Sequence, residues 1–215
     1  MKRLDTIIFD LDGTLLNTLD DLADSLNHAL QTMGFPLKEK QQIKSYIGNG
    51  IEHAVSLVVP DGMANPAFSA CLTCFKEHYL GNMQNKTDAY PGIRELLHTL
   101  AAEGYRMGVV SNKFDQGAKE LVHQYFGDLI QVTIGEIAGT PRKPAPDSVL
   151  QAISELGSWP ERSVYIGDSE PDVLTARNAG IPFIGVTWGY RDREVLEREG
   201  AEQIIDSPEE LLSLL

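Results

Sequence analysis

The sequence predicts an α/β fold, a parallel β-sheet covered by helices, with a helical segment inserted close to its start. Three observations carry that prediction. Short β-rich runs alternate with amphipathic helical patterns along most of the chain, which is the signature of a parallel sheet with helices on both faces. The alternation fails between Asn17 and Asn85, where helical patterns follow one another with no convincing strand between them. A chain of 215 residues, 42% of them hydrophobic, can also bury a real core, as one domain with a large insertion or as two small domains.

The runs that read as strands are Thr6 to Asp10, Arg106 to Ser111, Ile130 to Ile134, Ser163 to Gly167, Phe183 to Thr187 and Gln203 to Ile205. Amphipathic helical patterns separate them at Gly92 to Glu103, Gln116 to Tyr125, Asp147 to Glu155, Asp172 to Ala179 and Asp192 to Glu199, and a short one closes the chain at Pro208 to Leu215. This divides the chain into a core, residues 1–16 and 86–215, and an insertion, residues 17–85. In the insertion Leu19, Leu22, Leu26 and Leu30 mark one face of a first helix, and the turns Gly48-Asn49-Gly50 and Pro60-Asp61-Gly62 divide the remainder.

Cys71 and Cys74 form a CxxC, a spacing used by redox pairs and zinc sites. They fall inside the helical pattern Phe68, Cys71, Leu72, Phe75 and Tyr79, with no second CxxC or paired histidine nearby, so packing is the expected role. His28, His53, His78, His98 and His123 also lie in helical patterns without metal-type clustering, and read as surface residues or partners of local acids.

A formal net charge of -13 and an isoelectric point near 4.7 argue against nucleic acid or an anionic membrane as partner, since an acidic surface repels both. No apolar run approaches membrane-spanning length, and Asp10 and Asp12 interrupt the first apolar stretch before a signal-peptide core could form. With only two cysteines, the expectation is a cytoplasmic protein without structural disulfides, a monomer or homodimer.

In an open parallel sheet, ligands bind beyond the carboxyl ends of the strands. There the sequence places Asp10-Leu11-Asp12-Gly13-Thr14, Ser111-Asn112-Lys113 and Gly167-Asp168-Ser169-Glu170-Pro171-Asp172, while Arg142-Lys143-Pro144 precedes the helix leading to the last of these. If the pleat continued, Asp10 and Asp12 would point to one face. Carboxylates that close repel, so such a pair calls for a cation or for one member held protonated. Asp168 arrives from another strand end as a third oxygen donor, and hard oxygen ligands suit Mg²⁺.

In order and across nearly the full length, these residues resemble the motifs of the haloacid dehalogenase superfamily, in particular its phosphoglycolate phosphatase-like branch. Asp10-Leu11-Asp12-Gly13-Thr14 is similar to the first motif, Ser111 to the second, Lys143 to the third, and Gly167-Asp168 with Asp172 to the fourth. The insertion is similar to that family's small cap, and Trp188-Gly189-Tyr190 also looks like that branch.

The resemblance implies a Rossmann-like core and a helical cap domain, in a Mg²⁺-dependent phosphatase for a small-molecule phosphate ester, with 2-phosphoglycolate the best guess. It implies that Asp10 attacks phosphorus to form an aspartyl phosphate, and that Asp12 protonates the leaving oxygen and then activates water. Thr14 would orient Asp12 at the phosphate end of the site. Ser111, Asn112 and Lys143 would hold phosphoryl oxygens. Asp10, the Asp12 main-chain carbonyl and Asp168 would hold the metal. Asp172 would support from behind, through Lys143 or a metal-bound water; Asn112 and Lys113 are candidates for substrate contact, with ordinary loop solvation the favoured alternative for Lys113. Gly48-Asn49-Gly50 would set specificity, with the Asn49 amide or backbone N–H groups meeting a substrate carboxylate.

Three rivals share parts of this pattern. A sugar-phosphate mutase of the same superfamily places an arginine just beyond its cap glycine, and Tyr46-Ile47-Gly48-Asn49-Gly50-Ile51 has none. A pyrophosphatase on the same core stays open. A phospho-aspartate receiver module, a signalling device, has its acceptor after the third strand and no helical insertion.

Overall fold

The computed structural model describes residues 4–215, so the first three positions of the sequence-predicted core segment lie outside the described residues. Strand β1 (Thr6–Phe9) runs into a tight turn and β2 (Leu16–Asn17). The helices α1 (Leu19–Thr32), α2 (Lys40–Tyr46), α3 (Ile51–Val58) and α4 (Phe68–Asn82) follow, and β3 (Asp88–Ala89) returns to pair antiparallel with β2. The remainder alternates: α5 (Ile93–Ala102), β4 (Arg106–Phe114), α6 (Asp115–Phe126), β5 (Val132–Glu136), α7 (Asp147–Glu155) and β6 (Ser163–Gly167). It ends with α8 (Glu170–Ala179), β7 (Phe183–Val186), α9 (Arg193–Glu199) and β8 (Gln203–Ile205).

The main sheet has six strands in the order β5-β4-β1-β6-β7-β8, every pairing parallel. The α/β prediction therefore holds. β1 is central because it is apolar on both faces: Ile7 and Phe9 join one hydrophobic cluster, Ile8 the other, as the two-residue period of a strand requires. The chain builds outward through β4 and β5, then crosses to β6 on the opposite flank of β1. That reversal opens a crevice beyond the carboxyl ends of β1, β4 and β6.

The helices between β2 and β3 cover that crevice. Leu22, Leu26 and Leu30 of α1 are buried together with Val55 of α3 and Cys71, Phe75 and Tyr79 of α4, in one cluster with Ile7, Phe9 and Val109 of the sheet. Cys71 thus has the packing role expected of it, and both cysteines are free. Buried Asp21 fastens the return segment, accepting from the Lys86 N–H (3.0 Å), the Thr87 N–H (2.9 Å) and the Thr87 hydroxyl (2.8 Å). Among the histidines, His28 and His78 stack with centroids 3.9 Å apart, and His78 Nδ1 lies 3.0 Å from Ser25 Oγ.

Several boundaries differ from the sequence expectation for local reasons. The strand β1 ends at Phe9, so Asp10 leaves the pleat and a turn, rather than strand alternation, aims it. β4 runs on to Phe114, with an irregular register after Val110 where the candidate residues Ser111, Asn112 and Lys113 sit. The ribbon of β2 and β3 has two residues on each side, too few to show a period. The final helical pattern forms a 3-10 helix, Pro208–Ser213. Among the described residues, no helix is long and apolar enough to cross a membrane.

Candidate active site

Asp10 sits where the sheet hands the chain to its first loop, its N–H still donating to the Ile166 carbonyl at 2.9 Å. The loop folds back because Gly13 adopts φ 93° and the Leu15 and Leu16 N–H groups both reach the Leu11 carbonyl at 3.0 Å. Gly13 also leaves room for Asp168, whose Oδ2 lies 2.4 Å from where a Cβ at Gly13 would stand.

Behind Asp10 lies a buried, fully engaged network. Lys143 Nζ donates to Asp10 Oδ1 (2.8 Å), Asp172 Oδ1 (2.7 Å) and the Tyr165 hydroxyl (3.0 Å). Asp172, at the N-terminus of α8, turns its other oxygen to the Ser169 hydroxyl (2.6 Å) and to the Ser169 and Asp168 N–H groups (3.0 and 3.2 Å). It thus closes a capping box and holds Lys143 at once. The contact with Lys143 foreseen for Asp172 is present.

The geometry departs from expectation at Thr14, Lys113 and Asn49. The Thr14 hydroxyl donates to Asp168 Oδ1 at 3.1 Å rather than to Asp12, because the Gly13 turn carries it to the β6 side. Asp12 is held instead by the Thr18 hydroxyl (2.6 Å) and by Lys113 Nζ (2.8 and 3.1 Å to its two oxygens). Lys113 is therefore no solvated loop residue: its side chain is 3% exposed, and Nζ stands 4.6 Å from the centroid of the Tyr79 ring. Ser111 and Lys113 both border the cavity, although the register of β4 is irregular there and strand period alone does not predict it.

Asn112 spans core and cap, its Nδ2 donating to the Gly48 carbonyl at 3.0 Å and the Lys143 carbonyl at 3.3 Å. Arg191, which the sequence reading passed over, reinforces that docking by donating to the Ile47 and Lys44 carbonyls (2.8 and 3.2 Å) while pairing with Glu170 (2.8 Å). Between core and cap lies a cavity of about 50 Å³. The floor comprises Asp10, Asp12, Ser111, Asn112, Lys113 and Lys143; Gly48 and Gly50 border it, whereas Asn49 between them does not.

The electrostatics of the floor call for a cation. Asp10, Asp168 and Asp172 bring oxygens within 4.8 Å of one another, and Asp10 and Asp172 pair with the Lys143 ammonium, so the cluster sets three carboxylates against one adjoining positive charge. Burial, helped by the Asp172 charge and opposed by Lys143, pushes the Asp10 carboxyl up to about 7. Burial and the charges of Asp172 and Asp10 raise Asp168 well above the carboxylate range, against the pull of the Tyr190 N–H and Thr14 hydrogen bonds. For Lys143, burial opposes its charge, but the Asp10 and Asp172 carboxylates outweigh it and keep the ammonium protonated. A hard divalent ion between Asp10 and Asp168 would offset the remaining negative charge, so the donor set fits Mg²⁺.

The haloacid dehalogenase-like hydrolase family model matches residues 7–186. A phosphoglycolate phosphatase of Nitrosococcus oceani is 30% identical, over 100% of this chain and 98% of its own length. One from Agrobacterium fabrum is 35% identical over 89% and 84% of the two chains. Among solved structures, a candidate phosphoglycolate phosphatase from Lactobacillus delbrueckii subsp. bulgaricus superposes with a TM-score of 0.93 at 33% identity, covering 99% of this chain and 98% of that one. With the acidic strand ends at the crevice and these full-length likenesses together, the chain belongs to the haloacid dehalogenase-like hydrolase family, in its phosphoglycolate phosphatase-like branch.

Proposed function

We propose that this protein is a Mg²⁺-dependent phosphatase that hydrolyses a small phosphorylated metabolite, 2-phosphoglycolate, through an aspartyl phosphate on Asp10. The observation that carries the proposal is the buried cluster of Asp10, Asp168 and Asp172, of which Asp10 lines the floor of a cavity between core and cap and is tied through Lys143 to Asp172. The names of the full-length relatives support the choice of substrate.

In this reading Asp10 Oδ attacks phosphorus, and Asp12 gives a proton to the leaving oxygen and later takes one from the attacking water. Thr18 orients Asp12 for both steps. Lys143 and Ser111 hold phosphoryl oxygens, the first as a charge and the second as a neutral donor, while the Asn112 amide keeps the cap loop over them. Asp172 positions Lys143, and Thr14 fixes the orientation of Asp168. The Asp10 and Asp168 carboxylates and the Asp12 carbonyl would hold Mg²⁺, which would supply the positive charge that lets a carboxylate approach a phosphate dianion. The closed cap excludes bulk water and large substrates, and the net charge of -13 disfavours polyanions at a distance.

The test compares kcat/KM for 2-phosphoglycolate, sugar phosphates, pyrophosphate and a phosphopeptide at one Mg²⁺ concentration. The expected order has phosphoglycolate first and the phosphopeptide last. Preference for the phosphopeptide would overturn the enclosed-site reading, whereas preference for pyrophosphate would remove the substrate assignment alone. Full activity after exhaustive chelation, with metal content verified, would refute the metal site.

A further inference from the structure

We propose that Lys113 is the specificity-determining residue of this site: its ammonium leaves Asp12 to meet a carboxylate on the substrate's leaving group, selecting anionic esters. The inference deepens the phosphatase reading above and rests on it.

The two lysines that line the cavity are not equivalent. Lys143 spends its three donors on Asp10, Asp172 and Tyr165, all buried, and is committed to the phosphate end. Lys113 has Asp12 as its one hydrogen-bonding partner through Nζ among the described residues, and the face of Tyr79 as its other neighbour. Asp12 does not depend on it, because the Thr18 hydroxyl at 2.6 Å remains when the ammonium moves. A four-carbon stem with freely rotating donors allows that movement, where a guanidinium fork would not.

The rest of the cavity offers a leaving-group anion little else. Leu22, Ile47, Ile51, Ala54, Phe75 and Phe114 form an apolar wall. The cap contributes no cation to the lining among the described residues, and the Gly48 carbonyl that borders it is an acceptor already bonded to Asn112. A carboxylate brought into such surroundings beside Asp10 and Asp12 needs a positive partner, and Lys113 supplies it. The Tyr79 ring keeps the ammonium inside the cavity by cation–π attraction while leaving its donors free to change partner. An uncharged leaving group gives the ammonium no reason to leave Asp12.

The experiment measures kcat and KM for wild type, Lys113→Met and Lys113→Arg on 2-phosphoglycolate and on ethyl phosphate, its analogue with an uncharged leaving group, at saturating Mg²⁺. Wild type is expected to prefer phosphoglycolate. Lys113→Met should lose about a hundredfold in kcat/KM on phosphoglycolate, mostly through KM, and less than about tenfold on ethyl phosphate. Lys113→Arg should keep part of the preference. Equal losses on both esters would place Lys113 on Asp12 alone and overturn the inference. A wild type indifferent to the carboxylate would overturn it too, while leaving the phosphatase reading intact. Absence of hydrolysis of either ester would instead sink that reading, and this inference with it. Lys113→Gln, which keeps a donor without the charge, replaces the methionine variant if circular dichroism shows the latter unfolded.

Discussion

The two ends of the cavity are built on opposite plans. At the end proposed to take the phosphate, Lys143, Asp172, Ser169 and Tyr165 satisfy one another through short, buried hydrogen bonds, and Asp10 and Asp168 are held in fixed places by strands at the middle of the sheet. At the cap end the walls are apolar side chains from α1, α3 and α4, and the polar content is one lysine with a movable stem. A saturated network can hold one geometry, which suits a phosphoryl group common to every substrate. An apolar wall with a single adjustable charge suits the part of a substrate that varies. The difference teaches where mutations should break chemistry and where they should change preference.

The largest effect is expected at Asp10. Asp10→Asn replaces the proposed nucleophile by an amide, and kcat should fall by at least about a thousandfold on every substrate alike. Residual activity above about a tenth of wild type in steady-state assays would remove Asp10 from that role and, with it, the contrast between the two ends.

Next comes Lys143→Met. It strands Asp10 and Asp172 as buried carboxylates without their partner, so stability should fall by about 3–5 kcal/mol as well as activity. Urea denaturation with an unchanged m-value checks it. A loss below about 1 kcal/mol would show the network to be less interdependent than its geometry implies.

The gathering of these polar strand ends was largely legible in the sequence because topology does the assembly. Asp10, Ser111 and Asp168 each follow a β-rich run, and a parallel sheet that reverses direction at its centre must gather such ends. What the sequence could not show is which partner each polar group would find. Lys113 meets Asp12 across 101 residues, and Thr14 turns to Asp168 across 154, through a loop whose course depends on the φ of Gly13. Arg191 and Tyr165 carried no signal at all, because their importance lies in carbonyls and carboxylates brought to them by other elements. The cap end was less readable for a related reason: helical periodicity reports which face is buried, but not which of those apolar side chains border a cavity.

With the folded Asp10 carboxyl raised from the ordinary value of 3.8 to about 7, the metal-free protein binds more protons folded than unfolded across that interval. Stability without metal should therefore decline as pH rises through it. Mg²⁺ competes with those protons, so its stabilising effect should grow over the same interval. At about a hundred times its Kd a bound ion contributes about 2.7 kcal/mol, or several degrees in Tm for a chain of this size, at pH 8 and much less at pH 5. Thermal melts with Mg²⁺ and with chelator at both pH values test it. An equal Mg²⁺ shift at pH 5 and pH 8 would mean that the ion binds elsewhere than at the raised carboxylates.

The smallest effect is expected in the cap loop, at Asn49, the side chain that sequence resemblance offered as a partner for a substrate carboxylate. Gly48 and Gly50 border the cavity at φ 118° and 82°, conformations that leave their backbone close to the floor, and Asn49 between them is half-buried outside the lining. The Gly48 carbonyl, rather than the Asn49 amide, receives the hydrogen bond from Asn112 that ties this loop to the core. Asn49→Ala should therefore leave kcat/KM for 2-phosphoglycolate within about threefold of wild type, the range of an ordinary surface substitution. The comparison with ethyl phosphate decides what a larger loss would mean. A loss confined to phosphoglycolate would show that the leaving-group carboxylate is read from the cap loop rather than by Lys113. A loss shared by both esters would mean that the side chain helps the loop close, which belongs to the docking made by Asn112 and Arg191.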